Sequence, residues 1–252
     1  MEQPWNITVK ILRQKGMDGK PYYQSYSLQI HPDEYVLDAV EKIWAFQDRT
    51  LTFRHACHHA TCGACGMRVN GVEKLTCITS IYSMTKNNGV LRIEPLRNFP
   101  VLSDLVVDMS DLYNHMEAAG FTQVASLETA CLPFEKSTQT IPGQTFERLV
   151  DCIECGMCIS ACPSSHTSST YQGPAALAAI QHTLCKSSSD KLINQADHEN
   201  GVWRCHSAFE CSAVCPSHVD PAWRIMNLRR RVIGYRWKNF FMKSSQEDSD
   251  EK

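Results

Sequence analysis

The sequence predicts an α+β chain of two domains, a sheet-containing one over residues 1–103 and an all-α one over residues 104–252. Three observations predict it. Up to about residue 100, apolar and polar residues alternate in short runs, the period of half-buried strands. Beyond that point apolar residues recur at helical spacing. Cysteine is also abundant, at 13 residues, and most of it falls in three runs, at 57–77, 152–162 and 205–215.

In Asn6–Leu12, Ile7, Val9 and Ile11 alternate with polar residues, and in Ser25–Ile30, Tyr26, Leu28 and Ile30 do the same. Each run predicts a strand with one buried face. Gly16, Gly19 and Pro21 between them predict a turn. From Asp33 to Phe46, Val36, Leu37, Val40, Ile43 and Trp44 share a helical face, with Asp33 as N-cap. Met67 and Val69 lead into Asn70-Gly71, a dipeptide suited to the two positive φ angles of a tight hairpin. Val90, Leu91 and Ile93 make a further strand before Pro95. A helix is expected over Ser103–Gly120, with Leu105, Val106, Met109, Leu112 and Met116 on one face and Gly120 as C-cap. Residues 121–143, with Pro133, Pro142 and Gly143, read as a connecting loop. Gly173-Pro174 and Pro221 each open a helix, since a first-turn proline lacks only an N–H that has no partner there.

Composition narrows the function. A formal charge of -2 argues against a nucleic-acid partner. No apolar run approaches the roughly 18 residues of a membrane span, and the N-terminus carries no secretory pattern. An odd number of cysteines in a reducing setting points to metal rather than to disulfides.

Cys57, Cys62, Cys65 and Cys77 read C-x4-C-x2-C with a distant fourth cysteine, the plant-type ferredoxin spacing for a [2Fe-2S] cluster. The first domain is therefore expected to be a β-grasp ferredoxin. Gly63 and Gly66 allow the backbone to approach the sulfurs. Zinc, which favours paired short spacings, fits this run poorly. His58 and His59, beside Cys57, either donate to sulfur or face solvent; solvent is the expectation.

Cys152, Cys155, Cys158 and Cys162 followed by Pro163 form the bacterial ferredoxin run, whose fourth cysteine serves the other cluster of a pair. The second run holds Cys205, Cys211 and Cys215, with Ala208 where a fourth cysteine would stand. Exchange of the last cysteines gives Cys152, Cys155, Cys158 and Cys215 as a [4Fe-4S] set. Cys162, Cys205 and Cys211 remain, three thiolates that suit a [3Fe-4S] cluster. A [4Fe-4S] cluster with water at the open corner is the lesser alternative. Cys131 and Cys185 are expected to be free thiols.

The chain has no flavin or nucleotide fingerprint and no paired acid and base, so no catalytic residue is assigned. Three one-electron centres in one chain suit a relay. The order of these cysteine runs resembles the iron–sulfur subunit of the succinate dehydrogenase and fumarate reductase family, from about Ile7 to Arg231, and NGVWRCHSAFECSAVCPSHVDPAWRI leans to the fumarate reductase branch. The resemblance implies a FAD-containing flavoprotein partner that interconverts succinate and fumarate. It also implies a membrane-anchor partner with a quinone site and in some members haem, and a peripheral place on the cytoplasmic face of the cell membrane. It puts Pro163, Ser164, His166 and His206 near the quinone. Quinone-reducing members often carry a tryptophan pair after this Cys-Pro; Ser165, His166 and Thr167 lie here instead. The alternatives are the iron–sulfur subunit of a soluble thiol-dependent fumarate reductase and a stand-alone multi-cluster carrier. From Arg224 to Lys243 seven basic residues and no acid interleave with Trp223, Tyr235, Trp237, Phe240 and Phe241, as in a segment that meets lipid headgroups or a membrane subunit. The last residues, Gln246–Lys252, are expected to be a disordered acidic tail.

Overall fold

β1 (Trp5–Arg13) and β2 (Tyr22–Ile30) form the expected antiparallel pair, from Trp5 opposite Ile30 to Arg13 opposite Tyr22. The structure is a computed structural model that describes residues 3–120, 152–186 and 188–250, with side chains through Phe240 apart from that of Lys186. The expected loop at 121–143 and Cys131 lie outside the described residues. The hairpin β3 (Gly66–Val69) and β4 (Val72–Leu75) turns at Asn70 (φ 50°) and Gly71 (φ 88°), the two positive angles that its sequence allows. β5 (Val90–Glu94) runs parallel to β1 and antiparallel to β3, giving the sheet order β2-β1-β5-β3-β4.

The parallel β1–β5 pair needs a crossover, and α1 (Val36–Phe46) lies in it. Val36, Ala39, Val40 and Ile43 of α1 pack on Ile7, Val9 and Ile11 of the sheet. The helix starts differently from the expectation. Its N-cap is Tyr35, whose N–H donates to Asp38 Oδ2 at 2.8 Å, and not Asp33. Trp44 is also displaced from the expected buried face: it is half-exposed, with the Arg49 guanidinium 4.2 Å from its ring centroid.

The helix expected from Ser103 begins only at Ser110. β6 (Val101–Ser103) and β7 (Val106–Val107) form a two-stranded sheet, and α3, which follows the one-turn helix α2 (Ile81–Met84), spans Ser110–Ala118. A tertiary contact is the cause. Buried Asp104 (φ 45°) accepts from Arg13 Nε at 2.9 Å and from the N–H groups of Gln14 and Thr52, and Leu105 enters the sheet core. Gly120, with φ 74°, follows α3 as expected.

After β7 the described elements are helices: α4 (Met157–Ser160), α5 (Pro163–Thr167), α6 (Gly173–Lys186), α7 (Asp190–Ala196), a 3-10 turn (Val202–Arg204), α8 (Glu210–Ala213) and α9 (Pro221–Asp250). α6 and α9 form the spine. The alanines at 175, 176, 178 and 179 let Leu228, Ile225 and Val232 come close. Arg224 is buried in that contact and donates to Gln181 Oε1 and Val219 O, both at 2.9 Å. The expected disordered tail is corrected as well, for α9 continues to Asp250.

Candidate metal centres

Cys57, Cys62 and Cys65 belong to one loop, and Cys77 lies in the turn that follows β4. Cys65 and Cys77 are buried in the core that joins the two halves of the chain, while Cys62 is exposed. The loop winds through left-handed residues at His58 (φ 60°), Ala60 (63°) and Gly63 (72°). That winding turns backbone N–H groups inward. Those of Thr61, Cys62 and His59 reach Cys57 Sγ at 3.3, 3.4 and 3.5 Å. These donors, the His59 N–H foremost, lower the Cys57 pKa to about 6, while burial pushes Cys77 up to about 11.

His58 is exposed, as expected, with its Nε2 beside Glu41 and His55. The contribution of His59 to the sulfur is its main-chain N–H.

In the helical half the cysteines gather in two places. Cys152, Cys155, Cys158 and Cys215 border one small enclosed cavity, whose remaining wall includes Leu112, Ala178 and Val219. Cys162, Cys205 and Cys211 border a second, together with Ala208. Burial pushes the Cys152 thiol up to about 11 and Cys155 and Cys211 up to about 12, and raises Cys158 well above its ordinary value. Four thiols around one void and three around the next, with little local charge to stabilise a thiolate, fit a metal cluster that supplies the positive charge itself.

The first loop and the first cavity touch. A Cβ on Gly63 would lie 2.8 Å from Cys155 Cβ and 2.9 Å from Ile153 O. A Cβ on Gly66 would meet the Cys155 carbonyl oxygen at 3.4 Å, an ordinary contact. At Gly63, by contrast, glycine is required by the approach of two cysteine loops as well as by φ. Buried Ser160 adds a polar tie between the halves, donating to Glu73 Oε1 at 2.7 Å and accepting from the Arg97 N–H at 2.8 Å.

Pro163, Ser164 and His206 border the three-cysteine cavity. His166 does not. It lines a separate open groove with Arg97 and Glu73, and its Nδ1 sits 3.2 Å from Asn98 Oδ1. One residue here was not legible in the sequence. Tyr171 is 5% exposed, borders the same cavity and turns its hydroxyl toward Cys205 with no oxygen or nitrogen partner. Only its place just before Gly173-Pro174 marks it. Cys185 is exposed and accepts from Gln181 Nε2 at 3.1 Å.

Comparison with known proteins decides the family. Residues 8–114 match the 2Fe-2S iron-sulfur cluster binding domain, and residues 148–219 match the 4Fe-4S dicluster domain. The chain is 33% identical over 231 residues to the fumarate reductase iron-sulfur subunit of Haemophilus influenzae, covering 86% of this chain and 89% of that one. The chain belongs to the succinate dehydrogenase and fumarate reductase iron–sulfur subunits. The fumarate reductase iron-sulfur subunit of Mycobacterium tuberculosis is another member, 33% identical over 216 residues, with 84% of this chain and 87% of that one covered. The fold is shared with a chain of the Mycobacterium smegmatis Sdh1 complex in the apo form, at a TM-score of 0.74, with 24% identity and coverage of 93% and 98%. For a subunit of this family, an N-terminal [2Fe-2S] domain with a sheet and a helical [4Fe-4S] region account for both cysteine-bearing halves.

Proposed function

We propose that this chain relays electrons in a membrane-bound succinate:quinone oxidoreductase or quinol:fumarate reductase, between a FAD-containing flavoprotein partner and a quinone site in a membrane-anchor partner. The observation that supports it is the grouping of 11 cysteines as four, four and three in successive places along the molecule, with Gly63 joining the first place to the second.

In this reading residues 1–103 are a plant-type β-grasp domain in which Cys57, Cys62, Cys65 and Cys77 hold the [2Fe-2S] cluster. Residues 104–252 are the second domain, whose described elements after β7 are helices. There Cys152, Cys155, Cys158 and Cys215 hold the [4Fe-4S] cluster, and Cys162, Cys205 and Cys211 hold the [3Fe-4S] cluster. The clusters, when bound, supply reversible one-electron oxidation and reduction. The chain's own residues set the conditions. The N–H groups of Thr61, Cys62 and His59 point at Cys57 Sγ and favour its thiolate. Leu112, Ala175 and Ala178 keep water from the second place. Ala208 leaves one corner of the third without a thiolate.

The quinone end is assigned to the exposed rim of that third place, at Pro163, His206, Ala208 and Phe209, with Ser164 beneath it. His166, in the neighbouring groove, has a weaker claim. Along α9, buried Arg224, half-buried Arg229 and exposed Arg236 are already paired, by Gln181, by the carbonyls of Val202 and Cys205, and by Asp197. That leaves Arg230, Arg231 and Lys238, with exposed Trp223, Trp237 and Phe240, to meet the anchor or headgroups on the cytoplasmic face. Among the described residues no helix is long and apolar enough to cross a membrane, so the membrane is reached through a partner. Any haem belongs to that anchor.

Purification from membranes through a tag on this chain tests the reading. It predicts a co-purifying flavoprotein and anchor, and cluster reduction on addition of succinate. A chain that purifies alone and ignores succinate contradicts it.

A further inference from the structure

Glu41 of α1 and His55 and His58 of the cysteine loop bring three donor atoms together beside Cys57. His55 Nδ1 and His58 Nε2 are 3.1 Å apart, and each lies 3.3 Å from Glu41 Oε1. The triangle is nearly equilateral. Two ligands of a tetrahedral zinc ion, each at about 2.0–2.1 Å from the metal, are separated by about 3.3 Å. One edge of this triangle is satisfied by hydrogen bonding, since one of His55 Nδ1 and His58 Nε2 can donate to the other. Glu41 Oε1 is not satisfied: it is buried without a hydrogen bond, despite two nitrogens at 3.3 Å. A carboxylate oxygen only accepts, so a cation among the three atoms would satisfy it.

The surroundings hold the triangle open. His55 stacks on Phe53 with centroids 5.2 Å apart, and His58 is turned inward by its left-handed backbone, φ 60°. Exposed faces of both rings border a broad surface hollow formed with Trp44, Ala45 and Thr52. Three donors on one side and solvent on the other leave a fourth coordination position free.

We propose that Glu41, His55 and His58 bind one divalent transition-metal ion of the zinc class, distinct from the iron–sulfur sites. Two imidazoles and a carboxylate are a donor set suited to zinc. The ion clips the loop that carries Cys57 to α1, and its fourth position takes water or a donor from whatever covers that face. The proposal stands without any assignment of cysteines to clusters.

The test uses the intact complex, purified through a tag free of histidine and titrated with zinc sulfate. Zinc and iron are both counted by mass spectrometry, and the zinc X-ray absorption edge is recorded. The expected result is about one zinc per chain with a shell of nitrogen and oxygen at about 2.0–2.1 Å. Glu41→Gln and His55→Ala should each weaken zinc binding at least about tenfold, with the iron content and the [2Fe-2S] signal kept. Sulfur neighbours at about 2.3 Å, zinc affinity unchanged in both variants, or no zinc retained by the intact complex would each overturn it. The iron count reports separately on the cluster reading.

Discussion

Cys57 lies near the surface beneath three backbone N–H groups that draw its pKa down to about 6, while Cys155 and Cys211 border closed cavities where burial drives theirs to about 12. The sheet half thus presents sulfur through its main chain, on a loop whose Cys65 and the following Cys77 enter the core shared with Met157 of the helical half. In the helical half Cys158 and Cys211 lie in the short helices α4 and α8, Cys162 caps the N-terminus of α5, and the other cysteines lie in the segments between helices. The first kind of site is shaped before the metal arrives. In the second the buried thiols become favourable once a cluster supplies charge.

Removal of iron should divide the two halves most sharply. In the iron-free chain, backbone amides of β1, β2 and β5 stay protected against hydrogen exchange, while those of α4, α5 and α8 lose protection by orders of magnitude. Equal loss in both halves would break the comparison. The next largest effect lies in the sheet half. Arg13 is buried and bonded to Asp104, Asp48 and Tyr26, so Arg13→Met should cost about 3–5 kcal/mol in urea unfolding of the iron-free chain. The same network gives an acid dependence. Hydrogen bonds from the Thr50 and Tyr26 hydroxyls and from Arg13 hold the Asp48 carboxyl well below the ordinary range. A carboxyl lowered on folding adds stability that is complete above its unfolded value, near pH 4, and is lost as pH falls below it. The sheet half should therefore weaken below about pH 4, and Asp48→Asn should flatten that slope.

Gly63→Ala probes the junction. It combines a left-handed backbone at φ 72° with a contact 2.8 Å from Cys155 Cβ, and about 2–4 kcal/mol should be lost in thermal unfolding of the complex. An unchanged melting temperature would mean that the two cysteine loops are not packed together. The smallest effect is expected at Tyr171→Phe. Its hydroxyl faces Cys205 from inside the three-cysteine cavity. Loss of one donor worth about 1 kcal/mol should lower the midpoint potential of that centre by on the order of 40 mV in a redox titration. No shift would place the hydroxyl away from the cluster.

What the sequence made legible is local. The alternation at Ile7, Val9 and Ile11 gave β1, and Asn70-Gly71 gave the hairpin, because period and turn chemistry act over a few residues. The cysteine runs were legible for the same reason: ligand spacing is written along the chain. What escaped was set by distant contacts. The late start of α3 follows from Arg13 capturing Asp104 across 91 positions. His166 meets Asn98, a partner 68 positions away, in a groove it shares with Cys162, Pro163 and Ala208. The triangle of Glu41, His55 and His58 joins a helix to a loop, so no single motif spells it.

The central claim is that Ala208 leaves the third cluster with three thiolates. Low-temperature EPR of the oxidised complex, before and after succinate and beside the Ala208→Cys variant, tests it most directly. The account predicts a signal from an oxidised [3Fe-4S] cluster that succinate abolishes as a [2Fe-2S] signal appears, and an oxidised variant that is silent at full iron content. An oxidised natural complex that is silent with its iron intact, or a signal that persists unchanged in Ala208→Cys, would contradict it.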